Sequence, residues 1–99
     1  MNIKKNSVKT IVSKELTIIN KLGLHARAAS KLAQLCQQFT ATIQLELEEK
    51  EADASSIMAI MLLAGGQGKT VKVTAKGVDA PQALQAISQL ISDKFDEGQ

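Results

Sequence analysis

Ninety-nine residues, 44% apolar and 22% charged with a net charge of +2, fit one small globular domain, too weakly charged to imply a polyanion partner. Trp and Tyr are absent and only two Phe occur, which leaves an aliphatic core and excludes a base-stacking surface for nucleic acid. The lone Cys36 excludes an intramolecular disulfide or a multi-cysteine metal site, and with no ~20-residue apolar span or signal-peptide core the expected address is the cytoplasm.

Residues 1–14 are polar and carry four lysines, so they are expected to form a flexible basic arm. A patterned domain is expected over 15–95, followed by a short tail over 96–99. Leu16 and Ile18 open the domain as a strand of about five residues, broken by Gly23. From Ala26 the period changes. Ala29, Leu32, Ala33, Cys36 and Phe39 share one helical face, with Lys31, Gln34 and Gln38 opposite. The Cys36 thiol is therefore expected to be buried rather than reactive.

Ile43, Leu45 and Leu47 alternate with polar residues, a strand with one buried face. A turn at Glu49-Lys50 and a short returning strand over 51–54 follow. Ser56 is placed to cap an apolar two-turn helix from Ile57 to Ala64, which Gly65-Gly66 would terminate. Val71, Val73 and Ala75 mark a fourth strand. Asp79 and Gln82 then read as a capping box, with Pro81 in the first turn, for a helix carrying Leu84, Ile87, Leu90, Ile91 and Phe95 inward. The order β-α-β-β-α-β-α is α+β. It packs most economically as a two-layer open-faced sandwich, a four-stranded antiparallel sheet with three helices on one face. The other sheet face would be wet, lined by Gln44, Lys72, Thr74 and Lys76.

Three motifs bear on chemistry. Gly66-Gln67-Gly68-Lys69-Thr70 suggests a nucleotide-binding P-loop, but position 63 is Leu and the segment follows a helix and opens a strand, so that motif is rejected. Ile57, Met58, Ile60, Met61, Leu62 and Leu63 are apolar all round a short helix. Part of that surface should stay exposed as a partner site, with adaptable methionines. Finally, the single histidine, His25, sits at a helix start two residues before Arg27. There it lies beside unpaired N–H groups and the positive end of the helix dipole, a place suited to a phosphate. One histidine supports neither a hydrolase triad nor a histidine metal site, and no cofactor is called for.

Gly23-Leu24-His25-Ala26-Arg27, followed by small residues, resembles the active-site segment of the HPr family, the phosphocarriers of the bacterial phosphotransferase system. Ser56-Ile57-Met58 resembles that family's regulatory-serine segment, and the likeness covers roughly residues 15–95. The Asn20-Lys21-Leu22 lead-in hints at the nitrogen-type branch.

The resemblance implies that His25 accepts a phosphoryl group through Nδ1 from an enzyme I-like donor and passes it to a histidine of a IIA-type acceptor. Arg27 and the backbone of Ala26, Arg27 and Ala28 would meet the phosphoryl oxygens, a planar fork that lysine lacks. Leu24, Ile57, Met58 and Met61 would contact partners in turn, and the chain would act as a monomer. Ser56 would be the target of an HPr serine kinase. Two positions depart from the family: Ala28 stands where proline is usual, and Ser55 where Lys, Arg, Asp or Asn is common before the serine. The alternative in another class is a non-catalytic regulatory module that binds proteins through the apolar 56–63 helix. A nucleic-acid-binding sheet is disfavoured because Phe39 and Phe95 both read as core.

Overall fold

A computed structural model describes residues 10–97. The elements are β1 (Ile11–Thr17), α1 (Ala26–Cys36), β2 (Thr42–Leu47), β3 (Lys50–Asp53), α2 (Ile57–Leu62), β4 (Thr70–Lys76) and α3 (Ala80–Ser92), with a final short turn over Lys94–Asp96. The strands form one antiparallel sheet in the order β1-β4-β2-β3, and the architecture is the open-faced sandwich expected. Val71, Val73 and Ala75 of the central strand face the helices beside Ile43, Leu45 and Leu47, and all six are nearly inaccessible. Leu32, Ile60, Leu63 and Ile87 close the layer from the helical side. Each such aliphatic side chain contributes about 1.5–3 kcal/mol on burial.

Several boundaries differ from expectation. β1 begins at Ile11, so residues 11–14 are strand, paired from Ile11↔Lys76 to Lys14↔Val73, and do not belong to an arm. Residues 1–9 of the expected arm lie outside the described residues. β1 also ends at Thr17; Ile18 continues by donating its N–H to the Lys69 carbonyl at 2.9 Å. α1 stops at Cys36, leaving Phe39 half-buried in the loop beyond. The tight β2–β3 turn falls on Glu48-Glu49, not Glu49-Lys50, and both residues take positive φ, 52° and 72°. That is the geometry a two-residue hairpin loop requires, here met without glycine.

Helix ends depart too. Ser56 caps α2 as expected, accepting from the Ala59 N–H at 3.1 Å, but the left-handed residue after α2 is Ala64 (φ 57°), not a glycine. At α3 the Asp79 carboxylate makes no cap and no capping box forms. It accepts instead from the N–H groups of Thr40 and Ala41, at 2.9 and 2.8 Å, tying the α1–β2 loop to the start of α3. Phe95 is not on α3. It is fully buried from the turn beyond, where Lys94, Phe95 and Asp96 all have φ near +60°.

Candidate functional site

The loop before α1 is built by Asn20 and Gly23. Asn20 is completely buried, and its Nδ2 donates to the Gly23 carbonyl at 2.9 Å, closing the turn. Gly23 has φ +66°, and a Cβ there would lie 2.4 Å from the Gly65 carbonyl oxygen, so no other residue fits. The Leu24 N–H donates to that same carbonyl at 2.8 Å. The His25 loop and the segment after α2 are thus joined backbone to backbone.

His25 is the N-cap residue of α1, with extended backbone and no side-chain cap. The first turn holds no acidic residue. The N–H groups of Ala26, Arg27 and Ala28 therefore receive no acceptor from the cap, the arrangement that binds anions. Ala26 and Arg27 are exposed, whereas Ala28 lies in the core with no accessible surface. The His25 side chain is 28% exposed.

The ring is held from the far end of the chain. His25 Nε2 hydrogen-bonds the Glu97 carboxylate, whose other oxygen accepts from Asn20 Nδ2 at 3.0 Å. The Glu97 side chain is 7% exposed. Burial is the largest influence on its carboxyl and pushes the pKa up. Hydrogen bonds from His25 and Asn20, with the charges of His25 and Arg27, together outweigh burial and hold the group below its usual 4.5. Leu22, His25, Arg27 and Glu97 line an open cleft of about 320 Å³. Residues 96–97, expected in a tail, are thus part of the site. A salt bridge of 3.6 Å from Lys31 on α1 to Asp96 braces the same turn, although so exposed a pair adds little stability.

Leu22 adds an apolar side chain to the cleft, and α2 exposes further ones. Leu22 is 63% exposed, and Met58 and Leu62 are each 72% exposed, with Ile57 and Met61 also open to solvent. Leu24 departs from expectation: it is buried, contacting Gly65 from the inside, and the exposed leucine of the loop is Leu22. Ser56 stands half-buried at the start of α2 with its hydroxyl occupied as the cap. Cys36 is buried as expected; burial, with the nearby Asp53 charge adding to it, pushes its thiol pKa up to about 12. Sequence reasoning missed Asn20 and Glu97 as site residues. The signal in the sequence is an amide side chain, Asn20, three residues before the glycine turn.

The comparisons with known proteins converge on this geometry. The family model for the PTS HPr component phosphorylation site matches residues 12–93. The phosphocarrier protein NPr of Shewanella violacea is 49% identical over 88 residues, 89% of this chain and 97% of the relative. The phosphocarrier protein HPr of Cupriavidus necator is 43% identical, covering 90% of this chain and all of the relative. Among solved structures, HPr from Thermoanaerobacter tengcongensis superposes with a TM-score of 0.84 at 41% identity, covering 87% of this chain and 97% of that one. An open-faced sandwich presenting a half-exposed imidazole at an uncapped helix start defines the class. The chain belongs to the HPr family of the phosphotransferase system.

Proposed function

We propose that this chain carries a phosphoryl group on His25 Nδ1, taking it from an enzyme I-like donor and delivering it to a histidine of a IIA-type acceptor. The observation that supports this most is the pairing of a half-exposed His25 with the uncapped N–H groups of α1 and the exposed Arg27. The phosphoryl transition state spreads negative charge over three oxygens, and these donors can meet it without rearrangement. Arg27 supplies a planar fork, and the helix start supplies dipole and N–H groups. No cofactor is needed, because the group is exchanged between protein side chains.

Donor and acceptor dock in turn on the rim formed by Leu22, Ile57, Met58, Met61 and Leu62. Such a surface is modest, as serial partners require. The chain works as a monomer in the cytoplasm. No helix among the described residues is long and apolar enough to cross a membrane. Likeness to NPr, together with the Asn20-Lys21-Leu22 lead-in, favours the nitrogen-type branch.

A serine kinase acting on Ser56 would add about two negative charges at the edge of the rim, beside Ile57 and Met58. Weaker docking with the fold intact is the expected consequence, and a Ser56→Asp chain that binds enzyme I as tightly as the parent would remove Ser56 from the scheme. The carrier reading is tested by mixing the chain with enzyme I and labelled phosphoenolpyruvate. Acid-labile label on the parent and none on His25→Ala is the expected result; no label on the parent would overturn it.

A further inference from the structure

At the end of α1 remote from His25 lies a second cleft, about 210 Å³ in volume, whose lining includes Cys36, Gln37, Phe39, Ala41, Asp53 and Ser55. Its charge is of one sign. Asp53 Oδ1 accepts from both the N–H and the hydroxyl of Ser55, at 2.8 and 2.7 Å, and Oδ2 has no partner among the described residues. Those bonds, the hydroxyl's first, hold the carboxyl below the usual carboxylate range and keep it ionised at neutral pH. The charge is felt at Cys36, where it adds to burial in raising the thiol pKa. α1 has no basic residue in its last turn, so the negative end of the helix dipole stands unopposed on the same side. Lys76 lies opposite Thr42 in the register yet makes no ion pair with Asp53.

The chain carries cations of its own within reach. Residues 1–9, which precede the region matched by the family model, hold Lys4, Lys5 and Lys9 out of 12 basic residues and none of the 10 acidic ones. They join the fold at Thr10, whose carbonyl accepts the Gly77 N–H at 2.9 Å. Gly77 packs on Ala41 of the cleft so closely that a Cβ there would lie 2.8 Å from the Ala41 Cα. Ile11, Lys76 and Thr42 form one row across the sheet, which sets β1 two strand spacings, about 10 Å, from that side of the cleft. Nine residues can span about 30 Å, well beyond that distance.

We propose that this cleft is the seat of a lysine from residues 1–9, an intramolecular contact that lays the segment beside Ser56 at the start of α2. The contact is independent of what His25 does. The lysine Nζ donates to Asp53 Oδ2, and its aliphatic stem lies on the half-buried Phe39. A single exposed ion pair between free partners is weak. Here the partner is tethered, at an effective concentration on the order of mM, and any of three lysines can fill the seat. The groove between β1 and α3, lined by Val12, Lys14, Pro81 and Leu84, offers a lysine and no carboxylate, so it does not suit a basic segment. The Ser56 N–H donates to the Asp53 carbonyl at 3.0 Å, which joins the seat directly to the first turn of α2. A seated segment therefore narrows the approach to Ser56 and Ile57.

A nitroxide attached to Ser7→Cys in the full chain reads the contact, because the buried Cys36 thiol, its pKa pushed up to about 12, stays unlabelled at pH 7. At 0.01 M salt, where the screening length is about 30 Å, the amide signals of Gln37, Asp53, Ser55 and Ser56 should lose about half their intensity relative to the reduced label. Gln85 and Ser88, in the groove between β1 and α3, should keep theirs. Salt at 1 M, with a screening length of about 3 Å, should restore most of the loss. Asp53→Asn keeps the Oδ1 acceptor for Ser55 and should restore the signals at low salt. Lys4→Gln, Lys5→Gln and Lys9→Gln combined should do the same, and this variant decides if the spectrum of Asp53→Asn shows an unfolded chain. Undiminished signals at Gln37 and Ser55 in the parent, loss at Gln85 and Ser88 instead, or equal loss in the variants would overturn the seat. So would loss in isotope-labelled parent mixed with nitroxide-bearing chain of natural isotope abundance, since the contact would then lie between copies.

Discussion

Two of the helices, α1 and α2, begin differently. α2 starts with Ser56, whose hydroxyl accepts the Ala59 N–H and satisfies the helix from within. α1 starts with His25, which offers no cap and turns its ring outward to Glu97. A favourable N-cap is worth about 1 kcal/mol, and α1 forgoes it. The contrast separates a helix end built for stability from one left open for an incoming anion. It also explains how α1 does without a cap: the helix is anchored by Ala29, Leu32, Ala33 and Cys36 in the core.

The sharpest way to break this contrast is to make α1 start like α2. His25→Ser supplies the missing cap and removes the acceptor. Acid-labile labelling should vanish completely, while stability by thermal melting stays within about 1 kcal/mol of the parent, the new cap offsetting the lost Glu97 bond. The reverse change, Ser56→Ala, should cost about 1 kcal/mol and lower the melting midpoint by about 4–8 °C, with phosphoryl acceptance largely kept.

A smaller effect is expected with pH. The Glu97 carboxyl has its pKa lowered in the folded chain, so its contribution is present above the ordinary 4.5 and is lost as pH falls through the lowered value. The melting difference between parent and Glu97→Gln should therefore be full at pH 6 and shrink in acid. Smallest of all is Ala28→Pro. The position lies in the first turn, where a proline lacking its N–H is tolerated, and stiffening should add about 0.5 kcal/mol by melting. Since Ala28 has no accessible surface and its N–H is not open to an incoming anion, acceptance should be largely kept.

The elements that one-sided burial builds were legible in the sequence. β2, β4, α1 and α3 each carry a period that matches their buried face, and the Ser56 cap followed from residue type and position. β1 was only half legible because it is an edge strand with no fully buried residue, so Ser13 and Lys14 look no different from an arm. His25 and Arg27 were visible because they neighbour each other on a helix start. Glu97 was not, since it meets His25 across 72 positions of sequence through a left-handed turn that contains no glycine to announce it. Asp79 misled for a related reason: it has the residue type and place of a cap, yet a tertiary partner, the Thr40-Ala41 backbone, competes for its oxygens and wins. Leu24 and Leu22 show the same limit. Two leucines flank Gly23, and only the turn decides which one faces solvent.

The close approach of Gly23 to Gly65 governs how this molecule can diversify. At 2.4 Å from a carbonyl, position 23 has no room for even one added methyl group. Lengthening or re-sculpting the loop on either side would separate the His25 ring from the segment that follows α2. The Glu48-Glu49 hairpin loop has exposed side chains on both its residues and bears no such constraint. Lineages of this fold can therefore be expected to accumulate insertions at that hairpin while keeping the spacing of the ring and the segment after α2 constant. On the proposed function, every donor and acceptor would then meet the same ruler, fixed in backbone, and changes at Met58 or Leu62 would leave the reach to His25 unaltered.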